Sequence, residues 1–136
     1  DVNTFPLYLI AREYERMVRV EGRSGRIISV GSLGAFELWK ERLPYNVSKS
    51  ALFSTAQALA RALAPTITVN TVAPGAIQQP EESTENDASL IDVARIPMGR
   101  YGTVDDIFEA VWFFATASTY LTGQVLTVDG GYRLTR

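Results

Sequence analysis

The chain has 136 residues, 46% of them apolar, and a formal net charge of −2. This suffices to bury one core and leaves no excess charge to draw in nucleic acid or an anionic membrane. With no cysteine and no histidine, disulfides, thiolate or imidazole metal sites and histidine-based nucleophilic triads are excluded. Any proton donor must be a Tyr, Lys, Asp or Glu.

The apolar runs fall short of a membrane span and no signal-peptide pattern opens the chain, so a cytoplasmic protein is expected, with no metal, no nucleic acid and no membrane among its partners. Residues 7 to 20 place Leu7, Ile10, Ala11, Tyr14, Met17 and Val18 on one face. Arg12, Arg16 and Arg19 lie on another, as in an amphipathic helix with a solvated basic side, and "EGRSGR" ends it. "RIISV" (26 to 30) follows as a buried strand. From about Tyr45 to Leu63 a second helix repeats Lys49, Leu52, Ala56, Leu59 and Leu63, with Pro65 just past its end. "TITVNTV" (66 to 72) is the second strand. A third helix opens at "TVDD", where Thr103 caps and Asp106 completes a capping box, and its apolar face carries Ile107, Ala110, Val111 and Phe114. The run "WFF" (112 to 114) within it reads as core and subunit contact. "QVLTV" (124 to 128) is the third strand. This alternation predicts an α/β fold with a parallel sheet of three strands and flanking crossover helices.

In such a sheet ligands bind beyond the carboxyl ends of the strands. The loops there are "GSLG", "APGAI" and "DGG". Ser32 lies in the first, and Tyr45 and Lys49 of "YNVSK" enter on the next helix, four residues apart and so on one face. The chain holds only two lysines and six tyrosines, so this spacing arises by chance about one time in ten, and its place at the strand ends is what makes it informative.

Six segments, "DVN", "GRIISVGSLG", "YNVSK", "ITVNTVAPGAI", "IPMGRYGTVDDI" and "YLTGQVLTVDGGY", resemble successive segments of the short-chain dehydrogenase/reductases, in order along the whole chain. The resemblance implies the carboxyl-terminal part of a Rossmann-type doubly wound parallel sheet, with the three strands its fifth, sixth and seventh. It implies Asn3, Ser32, Tyr45 and Lys49 as catalytic positions. Tyr45, Lys49, Pro74, Gly75 and Ile77 would bind the cofactor, NADP or NAD with NADP slightly preferred. Gln78, Gln79 and Ile91 would belong to a substrate lid. The partners implied are a small carbonyl or alcohol substrate and further copies of the chain, in a dimer or tetramer.

The chemistry of these residue types is coherent on its own. Hydride delivery to a carbonyl leaves charge on oxygen, which a phenol neutralises by giving up its proton. A free phenol is a reluctant donor near neutral pH, and a nearby cation favours its ionised form. An ammonium also has three donors for ribose hydroxyls. Ser32 would hydrogen-bond the substrate oxygen and Asn3 would hold a relay water. The rival readings are local: Ser32 as a turn residue beside Gly31 and Gly34, and Asn3 as a helix-start asparagine.

The segment "QQPEESTENDASLIDV" carries five carboxylates and no basic residue. A mobile, polar lid that repels anionic acyl thioesters follows, favouring a neutral or cationic carbonyl compound or a pterin. Gln79 stands where the family often has threonine. "DGGYRLTR" resembles the tail of pteridine reductases, which usually have aspartate in place of Ser32. No two glycines are separated by one residue, so neither GxGxxG nor the family's GxxxGxG occurs. The expectation is a single unit over residues 1–136, the carboxyl-terminal half of such a domain, inactive alone. A catalytically inactive fragment with an assembly or regulatory role is the alternative.

Overall fold

The strands Gly25–Val30 (β1), Ile67–Pro74 (β2) and Val125–Val128 (β3) form a parallel sheet in that spatial order. The computed structural model describes residues 3–78 and 91–135. Its helices are Thr4–Glu21 (α1), Gly34–Glu37 (α2), Leu43–Leu63 (α3) and Val104–Thr116 (α4), with single 3-10 turns at Val93–Arg95 and Tyr132–Leu134. Gly25 stands opposite Ile67 and Val30 opposite Val72, while Thr71 to Pro74 pair with Val125 to Val128.

Alternation along the strands sends successive side chains to opposite faces. Ile27, Ile67 and Val69 pack with Ala11 and Val18 of α1 and Ala56, Leu59 and Ala60 of α3. Ile28, Val72 and Val128 pack on the other face with Ala110 and Phe114 of α4. A third cluster, built on Leu33, Ile91, Ile96 and Tyr132, covers the carboxyl end of the strands.

α1 starts three residues before the expected position, and its buried stripe is narrower. Leu7, Ala11, Tyr14 and Val18 face the core at spacings of three and four, whereas Ile10 (65% exposed) and Met17 (55%) lie on the flanks. Gly22 ends α1 in the left-handed conformation, φ 63°. The arginines of this helix are solvated and pair with neighbouring glutamates: Arg12 and Arg16 with Glu13, Arg19 with Glu15. α3 begins at Leu43 with Pro44 in its first turn, where the missing N–H costs nothing. β2 runs on to Pro74, beyond the expected end at 72. The "WFF" run divides: Phe114 is buried, while Trp112 and Phe113 face outward.

The capping box of α4 forms as the sequence indicates. Thr103 Oγ1 accepts from Asp106 N at 3.3 Å, and Asp106 Oδ2 accepts from Thr103 N at 2.6 Å. Asp106 also takes two bonds from Arg100, at 2.7 and 2.9 Å. These bonds, the Arg100 guanidinium first, hold its carboxyl well below the usual range.

Candidate active site

Because the strands are parallel, the loops leaving them gather at one end of the sheet. Gly31 N donates to Val72 O at 2.8 Å, Leu33 N to Pro74 O at 2.9 Å and Gly75 N to Val128 O at 2.9 Å. A Cβ on Gly75 would lie 2.9 Å from the Asp129 Cα, so glycine is what lets the exits of β2 and β3 pack together.

Tyr45 and Lys49 stand one turn apart on α3, both half-buried. The Lys49 Nζ lies 5.7 Å from the centre of the Tyr45 ring and donates to Asn3 Oδ1 at 3.4 Å. Asn3 Nδ2 donates to Ser48 Oγ at 3.0 Å, and Ser48 Oγ donates to the Tyr45 carbonyl at 2.9 Å. Asn3 occupies the N-cap position of α1, yet its side chain does not cap that helix. It stitches the start of α1 to the first turns of α3. Burial lowers the Lys49 pKa from its ordinary value of 10.5.

Ser32 is buried, and its Oγ accepts from Gly34 N at 3.1 Å, the local turn bond of the rival reading. That bond uses Oγ as an acceptor. A Cβ on Gly34 would lie 3.0 Å from Tyr45 Cε1, so the serine loop closes directly against the phenol. Asn3, Tyr45 and Lys49 therefore form one connected cluster, with Ser32 beside it.

Pro74 and Gly75 end β2, and Ile77 forms an isolated parallel bridge with Gly102. Gln78 is exposed, with its N–H donated to Gly102 O at 2.7 Å. Ile91 is buried against Leu33, Ile96 and Tyr132. Gln79 and the acidic stretch to residue 90 lie outside the described residues.

Three contributors escaped the sequence reading. Ser48 and Asn46 lie inside "YNVSK" itself, and Trp39 has no helical or strand periodicity to mark it. The Trp39 indole lies parallel to the Tyr45 ring, with centroids 6.3 Å apart and planes 6° off. Asn46 Nδ2 donates to the Trp39 carbonyl at 2.8 Å.

A cleft of about 500 Å³, lined by Met98, Arg100, Asp106, Leu126 and Gly130 among others, contains none of Asn3, Ser32, Tyr45 or Lys49. Of its two carboxylates, Asp106 is held by Arg100 and the cap of α4, and Asp129 accepts from Gly131 N and Arg133 N. None of the side chains lining this cleft is a phenol or an ammonium, whereas the Tyr45–Lys49 cluster holds both.

Residues 1–133 match the profile of a family described as enoyl-(acyl carrier protein) reductase. A cyclohexanol dehydrogenase from Rhodococcus sp. (strain TK6) is 40% identical over 119 residues, covering 82% of this chain and 43% of that protein. The 3-oxoacyl-[acyl-carrier-protein] reductase FabG of Rickettsia conorii is 34% identical over 135 residues, 96% of this chain and 55% of that one. The crystal structure of a putative 2-deoxy-d-gluconate 3-dehydrogenase from Agrobacterium tumefaciens, with bound NADP, superposes with a TM-score of 0.84 at 31% identity, covering 98% of this chain and 56% of that one. The chain spans about half the length of the curated relatives it matches.

Proposed function

The chain belongs to the short-chain dehydrogenase/reductase family, and from that premise we propose that it forms the catalytic, carboxyl-terminal part of an NAD(P)-dependent oxidoreductase interconverting a carbonyl and an alcohol. The observation that carries this reading is the connected cluster of Tyr45, Lys49 and Asn3 at the carboxyl end of the sheet.

The residues present fit the nicotinamide-ribose end of a dinucleotide. Lys49 offers a half-buried ammonium with three donors, and its bond to Asn3, at 3.4 Å, is a long one. Pro74, Gly75 and Ile77 supply the adjoining loop after β2. The bound NADP of the Agrobacterium protein supports NADP ahead of NAD. When bound, such a cofactor supplies the hydride.

Tyr45 gives its proton to the carbonyl oxygen as charge develops there, and takes it back in the reverse direction. Lys49 favours the phenolate that remains. Ser32 accepts from Gly34 N and so keeps its own hydrogen to donate to the same substrate oxygen. Asn3, bonded to Lys49, holds the water through which the pair exchanges protons with solvent.

The five carboxylates between residues 78 and 93 favour a neutral or cationic carbonyl substrate over an anionic acyl thioester. Ser32, rather than an aspartate, argues against the pteridine-reductase alternative. The outward Phe108, Trp112 and Phe113 of α4 support a homo-oligomer, dimer or tetramer. Among the described residues no helix is long and apolar enough to cross a membrane, and the cytoplasm is the proposed location. The test is calorimetry with NADPH and NADH on the chain alone and mixed with an expressed glycine-rich amino-terminal half of a relative, followed by a ketone-reduction assay of the mixture. Cofactor binding and Tyr45-dependent reduction in the mixture are expected. Their absence from both samples would leave the assembly role as the better reading.

A further inference from the structure

We propose that Trp39 sets the substrate class: its indole forms an apolar wall beside Tyr45 that receives a flat, uncharged ring next to the reacting carbonyl. The inference rests on the proposed role of Tyr45 and adds to it a specificity residue and a ligand chemistry.

Trp39 lies between α2 and α3, in a loop whose flanks are both unusual. Leu38 and Glu41 have left-handed backbones, φ 48° and 63°, which side chains of these types rarely adopt. Such conformations persist where the surrounding packing over-determines them, and they cluster at ligand sites. Here the fixing contact is visible. Asn46, 2% exposed, donates from Nδ2 to the Trp39 carbonyl at 2.8 Å. The loop is thereby folded back, and the indole is set parallel to the phenol ring.

Gly34 makes the approach possible. A Cβ there would stand 3.0 Å from Tyr45 Cε1, 3.1 Å from Trp39 Cζ3 and 3.2 Å from Asn46 Oδ1. The same residue donates its N–H to Ser32 Oγ. The two groups proposed to touch the substrate oxygen, Ser32 and Tyr45, and the indole therefore converge on one glycine.

Behind the ring the packing is apolar: Trp39 rests against the buried cluster of Leu33, Ile91, Ile96 and Tyr132, which holds the indole in place beside the proposed acid. The indole is only half-buried, which leaves part of a large apolar surface open beside a polar acid. A flat ring stacked there gains roughly three- to tenfold in affinity over a short alkyl group.

The experiment compares two methyl ketones, acetophenone and butanone, which differ only in the group beside the carbonyl. Turnover with NADPH is measured for the native sequence, Trp39→Ala, Trp39→Phe and Tyr45→Phe, each combined with the amino-terminal half. The expected result is a kcat/KM preference for acetophenone that falls close to one in Trp39→Ala through a rise in KM, and survives in Trp39→Phe. A second readout needs no turnover and uses the 136-residue chain as it stands. The chain has two tryptophans, and in Trp112→Phe the remaining indole is Trp39. Acetophenone should quench that fluorescence saturably, at lower concentration than butanone. An unchanged preference in Trp39→Ala, or quenching that never saturates, would overturn the inference. Full turnover in Tyr45→Phe would instead overturn the site reading on which it rests.

Discussion

Lys49 holds its ammonium 5.7 Å from the centre of the Tyr45 ring, one helical turn along α3. The ammonium and the phenol are distinct groups on one side of the helix, and in the proposed site each has its own task. The two residues therefore have separable effects. Tyr45→Phe should cut turnover by about 10² to 10⁴, the usual worth of a positioned acid, with cofactor affinity near normal. Steady-state kinetics beside a cofactor titration checks this, and wild-type turnover in the variant would remove Tyr45 from the mechanism.

Lys49 should titrate below 10.5, because burial disfavours its charged form. Lys40 is the one other lysine, so carbon-13 labelling at the lysine side chains gives two signals, assigned through Lys40→Arg. Below the folded-state pKa the cost of burying the ammonium is fully present. Between that value and 10.5 the unfolded chain binds more protons, so the Lys49 contribution to stability rises with pH. Titration of Lys49 at or above 10.5 would contradict its burial.

Replacing Lys49 by arginine keeps the charge but substitutes a planar fork for a compact ammonium. Weaker cofactor binding and a pH–rate profile displaced on the alkaline side are both expected, since in the proposed site one group serves ribose and phenol. If neither changes, Lys49 serves neither the ribose nor the phenol.

The cap of α4 is independent of the site. Thr103→Ala removes the acceptor for Asp106 N and should cost about 1 kcal/mol in urea unfolding. The bonds to Asp106 depress its folded pKa below 3.8, so their contribution is present above that pH and is lost as the medium is acidified further. Thr103→Ala should flatten the acid limb of the stability curve as well as lower its plateau.

Gly75→Ala should destabilise the chain by about 1 to 3 kcal/mol, because the new methyl group meets the backbone of Asp129 rather than a movable side chain. Thermal unfolding measures the cost. No loss would mean that the exits of β2 and β3 have room to separate.

Periodicity carried most of the fold. β1, β2 and β3 are short β-branched runs bounded by Gly, Pro or a polar residue, and the Thr103–Asp106 box is a purely local device, so both were legible. The outer flank of α1 was not. A sequence face of six apolar residues does not say that Ile10 and Met17 stay outside, because that depends on how α1 leans against α3. In the site, the Tyr45–Lys49 spacing was visible since both lie on one helix. The bonds from Asn3 to Ser48 and Lys49 join residues 45 and 46 positions apart, and no local pattern encodes them. Trp39 went unseen for a different reason: its role depends on two left-handed residues that are not glycine.

β2 is buried at every position but its last and is paired on both sides. Among the described residues its amide hydrogens should be the slowest to exchange with solvent deuterium, since they are buried and bonded alternately to one side and the other of the strand. The loops at its carboxyl end can open and close without exposing those amides. Exchange at Asn70 to Val72 thus reports opening of the sheet, and exchange at Ser32 to Gly34 reports local opening. A bound ligand that slows the second set and leaves the first unchanged would be acting on the loops alone, with the strand between them serving as an internal clock.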